Sequence, residues 1–183
     1  MTQIQKFSPD NLNIDPAREA AAICDHLRQV LKTPLRRRGL VIGLSGGIDS
    51  SVTAALAVRA VGPERVLGLE MPEKHSAEES LGLSGLVAKR YDLKVVREDI
   101  TPILEALQFY RRYDEAVRMV VPEYAEGWKS KIVSSGPVQT AGYNLFSIVV
   151  QNPDGVQIKK RLPLQAYLEI VAATNFKQRT RKM

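Results

Sequence analysis

The stretch Leu40-Val41-Ile42-Gly43-Leu44-Ser45-Gly46-Gly47-Ile48-Asp49-Ser50-Ser51 decides how this chain folds. Its first five residues form a short apolar run, as expected of a strand that is buried on both faces of a sheet. Apolar residues then recur at helical spacing from Val52 until Gly62-Pro63 ends the pattern. The glycine-rich loop, residues 45–50, is therefore predicted to lie between a strand and a helix.

The composition of the glycine-rich loop suits a phosphate-binding site. Gly46 and Gly47 allow the main chain to approach a phosphate closely, and the free N–H groups at the start of the following helix attract an anion. Ser45, Ser50 and Ser51 add neutral hydroxyl donors. ATP chemistry is therefore the leading hypothesis.

Asp49 is an acidic residue at the place where phosphates are expected. A carboxylate and a polyphosphate repel each other unless a cation such as Mg²⁺ bridges them. Asp49 is therefore predicted to be a Mg²⁺ ligand. The alternative is an acidic first-turn residue that the helix dipole stabilises.

Three other loop motifs are possible interpretations of the same residues. The Walker pattern and the dinucleotide fingerprint require spacings that do not occur here. Residues 43–47 do fit the G-x-S-x-G elbow of serine hydrolases, which needs a histidine late in the chain. His26 and His75 are the only histidines and do not follow the required order of serine, acid and histidine, which disfavours a hydrolase.

The order of the remaining patterns predicts an α/β fold with a doubly wound parallel sheet. Helical and strand patterns alternate along the first half of the chain: a helix at 16–33, a strand at 66–71, a helix that reaches residue 91 and a strand at 94–98. In such a sheet the glycine-rich loop and the turn after Met71 share one edge. The turn is therefore expected to flank the adenosine of a bound nucleotide.

The second half of the chain interrupts this alternation. Helical stretches at 102–121 carry an aromatic stripe that indicates packing, and residues 122–142 show mixed loop signals. Residues 146–160 read as a hairpin, which does not fit inside a βαβ repeat, before a helix resumes at 164–183. Residues 110–163 are therefore predicted to be an inserted helical and hairpin excursion in a single domain, residues 1–183.

Length and composition restrict the class of protein. The 183 residues suit one domain of ordinary globular composition, with 44% hydrophobic and 25% charged residues. No apolar run approaches the ~20 residues that span a bilayer, and residues 1–9 lack a secretion signal. A cytoplasmic protein without a membrane partner is expected. The single cysteine, Cys24, excludes an intrachain disulfide and is predicted to be buried.

The net charge of +6 arises at the C-terminal end of the sequence. Residues 159–183 carry seven basic side chains and one acidic side chain, that of Glu169. Such a segment binds the phosphates of a dinucleotide or of RNA, or forms a solvated helix face.

The loop sequence Ser45-Gly46-Gly47-Ile48-Asp49-Ser50 resembles the S-G-G-x-D-S signature of the PP-loop ATP pyrophosphatases. Within that superfamily the chain is most similar to the NAD synthetases. The similarity extends through Val41–Leu44, Val66–Pro72 and Ser76–Ser80. The last segment, Asn175–Met183, is similar to the family's N-x-x-A-R-x-R-M helix, with Gln178 in place of Ala and an added Lys182.

The resemblance implies a Rossmann-like, adenine nucleotide alpha hydrolase-like fold and a carbon-nitrogen ligase. Such an enzyme transfers AMP from ATP to deamido-NAD, releases pyrophosphate and forms NAD with ammonia. Free ammonia is expected because the roughly 40 residues before the loop cannot hold a glutaminase domain. The resemblance also implies a homodimer. The chain is expected to lack the family's C-terminal part.

The resemblance further assigns site residues. Asp49 is the catalytic residue and the Mg²⁺ ligand, and Arg179 and Arg181 bind deamido-NAD. The residues implied in ATP binding are Gly43, Leu44, Ser45, Gly46, Gly47, Ile48, Asp49, Ser50 and Met71.

Two alternatives stay open at this point. One is another adenylating PP-loop enzyme, such as a tRNA thiolase that uses the basic C-terminal segment for RNA, although nucleic acid is the less favoured partner. The other is a nucleotide-binding module or incomplete synthetase without turnover.

Overall fold

The computed structural model describes residues 13–76, 78–135 and 145–183. The chain divides into two compact units, residues 1–99 and residues 100–183. The expectation of a single domain with an insertion at 110–163 stays a prediction. None of the helices in the described ranges is both long and apolar enough to cross a bilayer.

The first unit is an α/β unit around a parallel sheet. Its strands are hydrogen-bonded in the order β1-β2-β3, with Gly43 opposite Leu69 and Glu70 opposite Arg97. This arrangement confirms the predicted α/β fold with a parallel sheet. Its elements are α1 (Pro16–Lys32), β1 (Leu40–Gly43), α2 (Ile48–Val61), β2 (Val66–Glu70), α3 (Glu78–Arg90) and β3 (Lys94–Arg97).

Local sequence signals explain where α1 begins and how it packs. Asp15 caps the helix, because its Oδ1 accepts hydrogen bonds from the N–H groups of Ala17 and Arg18 at 3.0 and 3.2 Å. Pro16 occupies the first helical position. Cys24 is buried in the core of the first unit, as predicted.

Small residues on α2 form the contact surface of the first core. Ala54 and Ala57 are fully or almost fully buried, which lets neighbouring elements approach the helix closely. Gly62, at φ +87°, ends the helix where the sequence predicts its end. The core of the first unit comprises Cys24, Leu31, Ile42, Leu44, Ala54, Ala57, Ala60, Val61, Val66 and Leu93.

The second unit packs helices against an antiparallel sheet with strand order β4-β5-β6. The hairpin of β5 and β6 is the one that the sequence predicts. Its elements are α4 (Thr101–Ala106), α5 (Phe109–Arg118), β4 (Lys129–Ser135), β5 (Leu145–Gln151), β6 (Gln157–Arg161) and α6 (Leu164–Lys182).

Strand β4 corrects the sequence analysis, which assigned loop signals to residues 122–142. Residues 129–135 instead pair with β5 along their whole length. Residues 136–144, which include the last part of that predicted loop, residues 136–142, lie outside the described residues.

The second unit has a hydrophobic core of its own. Ile148 and Val150 of β5 are fully buried and pack with Val117 of α5 and Ile170 of α6. Tyr113 packs at the edge of this core. The aromatic residues of α5 therefore take part in packing, as their helical spacing predicts.

Candidate nucleotide-binding site

The glycine-rich loop follows the carboxyl end of β1 and leads into α2. Gly47 is the N-cap residue of α2, and it offers no side chain to accept a hydrogen bond from the first turn. The N–H groups of that turn are therefore directed toward an incoming acceptor. Ser51 and Ser50 direct their hydroxyls to the Gly47 carbonyl, at 2.8 and 3.0 Å.

Serine hydroxyl groups form hydrogen bonds within the glycine-rich loop and stabilise its conformation. Ser50 Oγ accepts a hydrogen bond from the Ser45 N–H at 3.3 Å, and the two serine hydroxyl oxygens lie 3.1 Å apart. Ser45 Oγ in turn accepts the Gly47 N–H at 3.3 Å. Because Ser50 donates to the Gly47 carbonyl, its proton is committed there and Ser45 donates to Ser50. The loop geometry is thus set by its own side chains.

Gly46 is the one position in the loop where only glycine fits. Its φ is +74°, in the left-handed region. A Cβ atom built on Gly46 would lie 2.6 Å from the Ser80 carbonyl oxygen and 2.8 Å from Leu83 Cβ, both on α3. The loop therefore rests directly on α3.

Asp49 lies in the first turn of α2 and is exposed. Within the described residues its carboxylate has no ion pair, and no group of three or more acidic, histidine or cysteine side chains is arranged to hold a metal. An isolated exposed carboxylate fits Mg²⁺ that takes its other ligands from phosphate oxygens and water. It does not fit a metal held by the protein alone.

Met71 is brought to the loop by the pairing of β1 with β2. Its Cε lies 3.5 Å from the position that a Cβ on Gly43 would occupy. Met71 and the end of β1 at Gly43 therefore lie at the same edge of the sheet, as the sequence predicts for the loop and the turn after β2. Leu44 differs, since its side chain is buried in the core and its N–H bonds the Leu69 carbonyl at 2.8 Å. Ile48 is 79% exposed.

A buried carboxylate next to the loop escaped the sequence analysis. Glu70, at the end of β2, is 3% exposed. Its Oε2 accepts two hydrogen bonds from the guanidinium of Arg97, and its Oε1 accepts one from the Ser84 hydroxyl. The available signal was an acidic residue that closes an apolar strand directly before Met71-Pro72, a position where burial is expected and charge is not.

Arg179 and Arg181 lie near the end of α6, in the second unit. Arg179 is exposed, Arg181 is half-buried, and Thr180 between them is buried. The two arginines therefore leave the helix in different directions, as their two-residue spacing requires. Their role in binding a dinucleotide stays a prediction.

A glycine- and serine-rich loop that joins a parallel strand to a helix N-terminus is the architecture of nucleotide-binding α/β proteins. Residues 19–125 match the family model described as NAD synthase. The chain belongs to the NAD synthase family.

Curated relatives carry the similarity over nearly the whole chain. An NH(3)-dependent NAD(+) synthetase from Rhizobium meliloti (strain 1021) is 55% identical over 176 residues, which are 96% of this chain and 52% of the relative. One from Rhizobium rhizogenes is 50% identical over 96% of this chain and 53% of the relative. The chain thus spans about half the length of the curated relatives it matches.

A solved structure supports the fold. The crystal structure of an NAD+ synthetase from Burkholderia pseudomallei aligns with 93% of this chain and 56% of its own, at a TM-score of 0.51 and 19% identity. At that identity the likeness concerns the fold alone, and it agrees with the Rossmann-like expectation.

Proposed function

We propose that this chain carries the ATP-binding site of an enzyme that converts deamido-NAD to NAD with ammonia. The observation that carries the proposal is the 55% identity with an NH(3)-dependent NAD(+) synthetase over 96% of the chain, which includes the whole glycine-rich loop. The geometry of that loop provides what the chemistry needs, a main-chain anion site at the carboxyl edge of a parallel sheet.

The reaction has two steps. The nicotinic acid carboxylate of deamido-NAD attacks the α-phosphorus of ATP, the bond to the β-phosphate oxygen breaks, and pyrophosphate leaves. Ammonia then attacks the acyl carbon of the adenylate, loses a proton and expels AMP. No covalent nucleophile of the protein is required, so positioning and electrostatics carry the catalysis.

Residues of the glycine-rich loop bind and orient the leaving pyrophosphate. The N–H groups at the start of α2 stabilise the charge that develops on it, because they are fixed in place before the reaction. Met71 flanks the adenosine beside Gly43. The Asp49 carboxylate would hold Mg²⁺, which would neutralise part of the phosphate charge when bound.

Arg179 and Arg181 bind the phosphates of the dinucleotide in this proposal. A guanidinium group contacts a phosphate in a bidentate manner, and the C-terminal end of a helix favours cations. The proposal includes a homodimer and a cytoplasmic location, and it assigns the basic residues of the C-terminal segment to a small-molecule ligand rather than to nucleic acid.

Two measurements test the proposal. Calorimetry should detect binding of Mg-ATP to the chain, and Asp49→Ala should abolish it, whereas Asp25→Ala on the exposed surface of α1 should not. Mass spectrometry after incubation with deamido-NAD, ammonium, ATP and Mg²⁺ should detect NAD and AMP. Failure of the unaltered chain to bind Mg-ATP, or salt-sensitive binding of tRNA in its place, would overturn the proposal.

A further inference from the structure

Glu70 carries a charge in a place where a charge is costly. Its carboxylate is almost fully buried at the end of β2, and burial of an ionised group is unfavourable unless each oxygen is paired. Here both oxygens are paired: Arg97 Nε and Nη2 donate to Oε2 at 3.0 and 2.8 Å, and Ser84 Oγ donates to Oε1 at 2.5 Å. A hydrophobic residue would fill the same position at lower cost, so the carboxylate calls for a reason.

The partners of Glu70 join three elements of the first unit. Arg97 lies opposite Glu70 in the register of β2 with β3. Ser84 belongs to α3 and is 1% exposed. The carboxylate therefore fixes α3 to the carboxyl edge of the sheet through one short, charge-assisted hydrogen bond.

The same residue of α3 also contacts the glycine-rich loop. The backbone nitrogen of Ser84 lies 3.3 Å from the position of a Cβ on Gly46, and the Ser80 carbonyl lies 2.6 Å from it. The hydroxyl of Ser84 thus bonds Glu70, while the main chain of Ser84 packs against the loop at Gly46. A shift of α3 would open or crowd the space that Gly46 occupies.

Glu70 is also next to the turn after β2, which forms the second side of the site. It directly precedes Met71, whose Cε lies 3.5 Å from the Cβ position of Gly43. The carbonyl of Glu70 accepts the Glu98 N–H at 2.9 Å, so main chain and side chain of Glu70 are both held. One residue is therefore coupled to the loop through Ser84 and to the turn after β2 through the chain.

We infer that Glu70 is a positioning residue for the nucleotide site, which acts through Ser84 to seat α3 against Gly46 and thereby sets the geometry of the glycine-rich loop. Arg97 orients the carboxylate through its two hydrogen bonds to Oε2. Glu70 does not touch the nucleotide. The inference rests on the proposed function in so far as the ligand of the loop is ATP.

The test compares two serine-to-alanine variants of the full chain. Ser84→Ala removes the donor to Glu70, whereas Ser147→Ala alters a buried serine of β5 in the second unit. Ser84→Ala should weaken Mg-ATP binding about tenfold, the loss expected for a hydrogen bond to a buried charge. It should also speed amide hydrogen exchange in residues 45–51 while residues 145–151 keep their rate. Ser147→Ala should leave both loop exchange and affinity unchanged.

A second comparison separates positioning from general stability. The effects of Ser84→Ala and Glu70→Gln on Mg-ATP affinity should be strongly non-additive, because both remove the same contact. Arg97→Lys perturbs the other oxygen of the same carboxylate, Oε2, from the solvent side, since the Arg97 side chain is 59% exposed. This variant serves if Ser84→Ala does not fold. Arg97→Lys should weaken binding in the same direction as Ser84→Ala.

The outcomes for the two proposals are distinguishable. Unchanged Mg-ATP affinity in both Ser84→Ala and Arg97→Lys would overturn the positioning role while the proposed function stands. If the unaltered chain does not bind Mg-ATP, the proposed function fails, and loop exchange in Ser84→Ala decides the inference alone: faster exchange supports it and an unchanged rate overturns it.

Discussion

The hydroxyl oxygens of Ser45 and Ser50 lie 3.1 Å apart, so the first and last residues of the glycine-rich loop are hydrogen-bonded to each other. Ser50 also accepts the Ser45 N–H and donates to the Gly47 carbonyl. The loop therefore has its shape before any ligand binds. This reduces the entropic cost of ordering the loop on binding.

Replacement of Ser50 by alanine should loosen the glycine-rich loop. Each hydrogen bond of this kind contributes about 0.5–1.5 kcal/mol, so Ser50→Ala is expected to weaken Mg-ATP binding by roughly three- to tenfold in calorimetry. Thr53→Ala is the control, because its hydroxyl bonds the Asp49 carbonyl one turn further along α2. Equal affinities of Ser50→Ala and Thr53→Ala would contradict a role for the serine network.

Gly46 should not tolerate a side chain. Gly46→Ala places a Cβ at φ +74° and 2.6 Å from the Ser80 carbonyl, so the variant is expected to be less stable by about 2 kcal/mol or more. Gly82→Ala is the matched control on α3, where nothing lies within 4 Å of the new Cβ. It should gain about 0.5–1 kcal/mol from reduced backbone entropy. Chemical denaturation measures the change in the free energy of unfolding for both variants. A change of the same sign in both would contradict the close packing of Gly46 against α3.

The parallel-sheet unit could be predicted because its signals are local. A buried apolar run before Gly43, a cap at Asp15 and a stop at Gly62 each mark an element by their own chemistry. The proximity of Met71 to the glycine-rich loop followed from a general rule for parallel sheets rather than from either segment alone.

Strand β4 could not be predicted because its pattern is mostly polar. It carries only Ile132 and Val133 as large apolar residues, and their adjacency breaks the period of two that marks a strand. The strand forms because it pairs with β5 over seven residues. Such pairing depends on a second strand elsewhere in the chain, so the local sequence of β4 does not reveal it.

The contact of Glu70 with Ser84 and Arg97 was out of reach for the same reason. These residues are separated in sequence, and only the register of β2 with β3 and the packing of α3 bring them together. The sequence shows three ordinary polar residues. The structure joins them in one hydrogen-bond network around the buried carboxylate of Glu70.

Met71 should contribute to the binding of the adenosine of the ligand and not to the binding of its phosphates. Truncation in Met71→Ala removes apolar surface beside Gly43, and a loss of about five- to tenfold in ATP affinity is expected from one to two buried methylene groups. Binding of tripolyphosphate, which has no adenosine, should be unchanged. Met119→Ala in the second unit controls for the loss of an exposed methionine. Equal losses for ATP and tripolyphosphate would place Met71 outside the adenosine pocket.

Ser130 connects two tyrosines in the second unit. Its hydroxyl lies 2.9 Å from that of Tyr113 and 3.3 Å from that of Tyr124. Burial raises the pKa of both tyrosines above the usual 10.0; the hydrogen bond to Ser130 opposes this effect, and the charge of Asp114 adds to it. The fold therefore favours the neutral phenols.

The raised pKa values predict a loss of stability in alkali. Above about pH 10 the unfolded chain releases these protons before the folded chain does, so the free energy of unfolding should fall as the pH rises from about 9 to about 11. Trp128, the only tryptophan, packs on Tyr124 at a ring distance of 6.0 Å and reports the second unit by fluorescence. The double variant Tyr113→Phe, Tyr124→Phe should lose less stability over that pH range than the unaltered chain. Parallel curves for the double variant and the unaltered chain would show that the two phenols do not titrate differently on unfolding.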